Sequence, residues 1–280
     1  MQQDKSIQYM LLAGLLFALM NVCVKYVSHI PTLEVVFFRS IFSLVASYYV
    51  LRRQQIPVLG NNRKMLTLRG IAGCLGLIGS FYTLQHIPLA SAVTINYLSP
   101  FFTAILGIFI VQQKLRPIQF LYFAMAIGGV FLLKGFDTRI STADLLIGIT
   151  SAIFSGLAYN IIAKLRHTEH PLVIMFYFPM LTLPIAGVYC LLNWQQPQGL
   201  DWLFLLLIGI FTQGAQYYMT RSYQQADLSK VASLNYLGVI YALVFGYFIF
   251  DEQLNSYAYL GIAIILLSVI LNVKTKKVAS

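Results

Sequence analysis

Ten runs of apolar residues, each about 20 long, follow one another along this chain, and no other feature limits its fold so strongly. In hydrocarbon every backbone N–H and C=O must find a partner inside the protein, which leaves helices or closed barrels. Barrel strands would alternate apolar and polar residues; these runs do not, and so they predict helices. Their cores fall at 7–27, 33–51, 66–85, 91–111, 118–133, 145–163, 172–192, 202–220, 231–250 and 257–273. The connections are short, and none has room for a separate soluble domain. Composition agrees: 10% of the residues are charged, against about 25% in a soluble domain. The expected fold is an all-α membrane protein with ten transmembrane helices.

A net charge of +10 would suit a nucleic-acid partner, but the basic residues sit in short connections between spans, where membrane topology already explains them. With the amino terminus on side one and each span crossing once, fifteen of the 19 Lys and Arg residues fall on side one. They include Arg52, Arg53, Arg63, Lys64 and Arg69 around the second connection. Side two receives only Lys25, Arg39, Lys134 and Arg139. The positive-inside rule then places side one, with both termini, in the cytoplasm. The first run lacks a small-residue cleavage site and is expected to stay as a helix rather than leave as a signal peptide. Cys23, Cys74 and Cys190 all lie within spans, without disulfide or zinc spacing. No cofactor or metal is implied.

One internal offset recurs from end to end: 139 residues. Asn21 and Lys25 match Asn160 and Lys164, Gly70 matches Gly209, and Gln85 matches Gln224. Asn96-Tyr97-Leu98 matches Asn235-Tyr236-Leu237, Gly107 matches Gly246, and the stretch ending at Leu115 matches that ending at Leu254. The chain therefore reads as two five-helix repeats, residues 1–139 and 140–280. Five is odd, so the second repeat enters the membrane from the opposite side. The charges follow: Lys114 and Arg116 in one copy correspond to an acidic pair, Asp251 and Glu252, in the other. Inverted repeats are the architecture of many secondary transporters, whose substrate sits near the midplane where the halves meet.

The stretches Glu34–Arg39, Ile87–Val93, Leu98–Thr103, Ala226–Leu237 and Phe250–Leu254 make the chain resemble the EamA-type members of the drug/metabolite transporter superfamily, over nearly its whole length. Its Phe-Phe-Arg signature is similar to a subgroup of S-adenosylmethionine uptake and organic-anion carriers. The family usually has a glutamate near the end of both the fourth and the ninth helix; here Glu252 fits and its counterpart is Gln113. The resemblance implies a ten-helix carrier with cytoplasmic termini in the inner (plasma) membrane of a bacterium. Its substrate would be a small polar metabolite such as an amino acid or S-adenosylmethionine, or alternatively an organic anion, a dicarboxylate or a drug. Its partners would be that substrate and the lipid bilayer, with no nucleic acid and a monomeric or weakly dimeric state. The coupling partner, a proton, another ion or an exchanged substrate, stays open.

Arg39 is the sharpest candidate, since a charge this far into a span is costly. It reads as a contact for a substrate carboxylate or phosphate, or as half of a gate pair, against snorkelling outward. Glu34, five positions away, lies about 140° around the helix, so a pair within the span is disfavoured. Lys25 is the better partner for Glu34. Buried amides at Asn96, Asn160 and Asn235, with Tyr82, Tyr97 and Tyr236, are substrate contacts or interhelical hydrogen bonds. Gln213, Gln216 and Tyr217, at i, i+3 and i+4, make one polar face suited to a water-filled cavity. Arg221 extends it as a gate residue or a cytoplasmic anchor. Pro100, Pro179 and Pro184 are candidate hinges. Gly70, Gly73, Gly76 and Gly79 read as close helix packing. A membrane enzyme would need clustered catalytic groups inside the bilayer, and the four histidines lie near span ends. A channel would need a filter or charged ring, and none is visible.

Overall fold

The computed structural model describes residues 2–112, 116–165, 168–225 and 237–276. These form eleven helices and, among the described residues, no strand. In chain order they are α1 (Gln2–Tyr26), α2 (Thr32–Arg53), α3 (Arg63–His86), α4 (Leu89–Asn96), α5 (Ser99–Ile110), α6 (Pro117–Phe136), α7 (Thr142–Leu165), α8 (Pro171–Asn193), α9 (Asp201–Gln225), α10 (Leu237–Phe250) and α11 (Ser256–Lys276). Starts are written in the sequence. Pro117 and Pro171 open α6 and α8, where a missing N–H costs nothing, and the Asn62 side chain caps α3 at Met65 N, 3.2 Å away. Seven spans are long and apolar enough to cross a bilayer. Two shorter apolar helices, Leu237–Phe250 and Ser256–Asn272, and the more polar α9 bring the spans to ten.

The fourth span is not the single helix expected from its apolar run. It breaks between α4 and α5 at Tyr97 and Leu98. Pro100 has no N–H to offer the Asn96 carbonyl, and the two residues keep a near-helical backbone, so the break is one tight turn rather than a change of course. By contrast α8 runs unbroken through Pro179 and Pro184.

Helices pack in pairs related by a two-fold axis. α1 lies antiparallel to α9, with Tyr26 stacked on Phe204 (4.8 Å between ring centroids) and Tyr9 against Tyr218 (5.8 Å). Exchanging the halves turns this pair into α7 and α3, also antiparallel, with Ser151 Oγ donating to Gly76 O at 2.6 Å. α2 pairs with its own counterpart α8, Phe37 against Gly187 and Tyr48 against Phe176. α6 pairs with α11, Gly129 against Gly261 and Gln119 bonded to Asn272. α2 and α6 thus each run opposite to their own copies, as inverted repeats require. The backbone repeats as well: Gly60 and Gly199 both have positive φ, as do Gln112 and Asp251, and each pair is spaced by the sequence offset of 139. Small residues set these contacts. A Cβ on Gly261 would sit 2.7 Å from Gly129 O, and a Cβ on Gly76 would sit 2.7 Å from Ser155 Oγ. In lipid, where apolar burial drives little, such close approach is what holds helices together.

Candidate functional site

Two arginines enter the middle of the protein from opposite ends. Arg39 is seven residues into α2, which begins at side two, and Arg69 is six residues into α3, which begins at side one. At 1.5 Å per residue each backbone position is roughly 10 Å deep. Both guanidiniums reach Phe178 of α8, with Cζ 5.4 Å from the ring centroid for Arg39 and 5.1 Å for Arg69. Arg39 also lies 5.6 Å from the Phe81 centroid. The side chain is therefore turned inward, and the residue is 5% exposed; snorkelling is ruled out. Arg69, counted above among the basic residues of a cytoplasmic connection, is instead part of this interior. Gly73 makes room for it, since a Cβ there would be 2.8 Å from Arg69 Nη1 and 2.9 Å from Phe178 Cδ2. Nε and Nη1 of both arginines are buried without a hydrogen-bond partner among the described residues. Tyr159 of α7 lies within electrostatic reach of Arg69. Tyr159 is 54% exposed.

Several of the other sequence candidates, among the described residues, are engaged away from this point. Asn160 is consumed by structure: it is 2% exposed, and its amide donates to Thr103 O and Gly156 O, both at 2.9 Å. Asn96 donates to Ser80 Oγ at 2.8 Å, and the Tyr97 hydroxyl lies against Gly238 of α10. Tyr82 stacks on His86, 3.9 Å between ring centroids, at the side-two end of α3. Gln213 and Gln216 are half-buried and Tyr217 is 56% exposed. With Gly209, which meets Phe42 of α2, the two glutamines form a stripe at i, i+4 and i+7 that faces α2. Asn235 and Tyr236 lie outside the described residues, and so does the side chain of Arg221.

The charged partners expected at the ends are also rearranged. Lys25 does not pair with Glu34. Its Nζ meets Glu252 Oε1 at 2.6 Å and donates to Ile87 O at 2.7 Å. Glu252 Oε2 accepts from Leu89 N at 2.7 Å, so one carboxylate ties the end of α1 to the start of α4 beyond the end of α10. The sharp return of the chain after α10, with Asp251 at φ 51° and Glu252 N bonded to Gly246 O, aims the carboxylate inward. Glu34, fully buried, accepts from Gln195 N at 3.1 Å instead. Gln85, read above only as a repeat match, donates to Val27 O and Ile30 O and holds the α1–α2 turn against α3. All these contacts close the side-two end.

The model of the EamA-like transporter family matches twice, at residues 4–134 and 142–274. The pseudopaline exporter of Pseudomonas aeruginosa is 28% identical over 269 residues, covering 95% of each chain. Solute carrier family 35 member G1 of Homo sapiens is 29% identical over 262 residues, 87% of this chain and 72% of that one. The riboflavin transporter of Brucella anthropi is 25% identical over 262 residues, 89% and 92%. One crystal structure superposes with a TM-score of 0.64 over 99% of both chains at 16% identity, a likeness of fold. This multi-span membrane protein belongs to the EamA-like transporter family.

Proposed function

We propose that the chain is a secondary carrier that moves a small polar metabolite across the cell's inner (plasma) membrane by alternating access. The observation that carries this reading is the antiparallel pairing of two helices with their own copies, α2 with α8 and α6 with α11, around an interior reached by Arg39 and Arg69. Two inverted halves of similar packing can exchange conformations, which exposes one site to either side in turn. Residues 1–139 and 140–280 are the two units, with both termini in the cytoplasm as the charge distribution asks. The names of the relatives, an exporter of pseudopaline and a transporter of riboflavin among them, support a small-molecule substrate. A second reading, an organic-anion or dicarboxylate carrier, gains from the uncompensated arginines. Reconstitution in liposomes tests the carrier reading. Saturable uptake of an amino acid, S-adenosylmethionine or a dicarboxylate, accelerated by the same solute inside, is expected. Conductance that neither saturates nor shows counterflow would sink it.

A further inference from the structure

We infer that Arg39 and Arg69, which share the ring of Phe178, form the binding site for a small organic anion bearing a carboxylate or phosphate, their two charges matching up to two negative ones. The inference deepens the carrier reading and rests on it only for transport, not for binding.

Three observations carry it. First, both guanidiniums come from helix positions well inside the bilayer, where an unneutralised charge is costly, and such residues mark substrate paths. Second, each keeps Nε and Nη1 buried and unpartnered among the described residues, although buried donors are nearly always satisfied. The nearby carboxylates turn elsewhere: Glu34 gives Oε2 to Gln195 N and keeps Oε1 buried without a partner among the described residues, and Glu252 holds Lys25 and Leu89. Third, the ring of Phe178 meets both cations, at 5.4 and 5.1 Å, so their Cζ atoms can be no farther apart than the sum of those distances. That spacing suits one molecule with two acidic ends, or one acidic group shared by both forks. The aromatic faces soften the cations' exposure to a low dielectric but offer the N–H groups no acceptor. A ligand carboxylate or phosphate supplies both charge and acceptors. A cationic ligand would add a third positive charge beside the same two.

The full-length protein, purified in detergent, is followed by its melting temperature against succinate, inorganic phosphate and putrescine, since a ligand of the folded state raises it by mass action. Succinate or phosphate raises it and putrescine does not; which anion acts tells carboxylate from phosphate. The R39Q/R69Q double variant loses the shift, whereas R39K/R69K keeps it with roughly tenfold weaker affinity. Without ligand, R39Q melts at or above the wild-type temperature, because a repelled, desolvated charge has gone. A response to putrescine, no response to either anion, an undiminished shift in R39Q/R69Q, or a large fall in the melting temperature of unliganded R39Q would each overturn the assignment. Counterflow of a neutral solute without anion binding would remove the anion site and leave the carrier. Anion binding without counterflow would do the reverse.

Discussion

The two ends of the molecule close differently. Where α2 and α8 meet, the ends resemble each other. At side two Glu34 accepts from Gln195 N, and at side one Glu169 accepts from Asn61 N at 2.8 Å and from Asn62 N. Where α1, α4 and α10 meet, the resemblance stops. Side two has the Lys25–Glu252 pair with Leu89 N and Ile87 O. A shift of 139 residues maps Lys25 to Lys164, which is exposed, and Glu252 to Gln113, which carries no charge and lies outside the described residues. A nearly symmetric scaffold is therefore fastened asymmetrically. In a carrier that alternates, the state closed at side two keeps an ion pair that the opposite state lacks. The two side chains are 13% and 12% exposed, so solvent screens the pair partly. A contribution of roughly 1–3 kcal/mol, a population ratio of about 5–150, is the right scale.

That contrast can be broken at several points. The largest effect is expected from Glu252→Gln, which leaves the partly buried Lys25 beside a neutral amide. In a background with the three native cysteines replaced, a cysteine at Ser91, fully buried here, should become labelled from side two by an impermeant maleimide at least tenfold faster. An unchanged rate would mean the pair fastens nothing. Next, Glu34→Ala and Glu169→Ala should each lower the melting temperature by a few degrees, about 1–2 kcal/mol for amides left without their acceptor. Similar falls are expected, because these corners are alike. A smaller effect, on the order of 1 kcal/mol, is expected from Gln113→Glu, which offers Lys164 the acid its counterpart has. It should slow labelling at a side-one cysteine, or the equivalence of the two corners fails. The smallest effect belongs to Lys164→Met, expected within about 0.5 kcal/mol of wild type when melting is measured. A large loss there would show that side one has a latch of its own.

The spans and their inverted relation were readable because both rest on simple lengths: one run per bilayer crossing, and one offset matching the two copies. Pro100 as a break in the fourth span was only half readable, since membrane helices absorb proline in many places, as α8 does at Pro179 and Pro184. Arg39 stood out by its depth. Arg69 did not, because a basic residue six positions into a span that begins at the basic side looks like an ordinary anchor. Its signal was the apolar run starting before it at Leu66, together with Gly73 one turn later. The pairing of Lys25 with Glu252 was hidden for a different reason. The partners sit in different repeats, and only the return of the chain at Asp251 brings the carboxylate back to α1. At Asn160 the sequence left ligand contact and interhelical hydrogen bond open, because an amide in lipid needs partners whether or not a ligand supplies them, and in the structure backbone carbonyls supply them.

The meeting of α6 and α11 has a mechanical consequence. Gly129 and Gly261 bring the two backbones into contact with no side chain between them, and exchanging the halves maps the α6–α11 pair of helices onto itself, while the offset of 139 carries the glycines onto Ser268 and Tyr122. Such a joint serves as a bearing. Backbone meets backbone there, with Ile264 and Ile265 alongside, so few side chains have to reset when the bundle rocks, and an amide clasp, Gln119 to Asn272, sits at the side-one rim. A bulky residue at position 261 would turn the bearing into a weld or a fracture, and would stall both directions of motion alike.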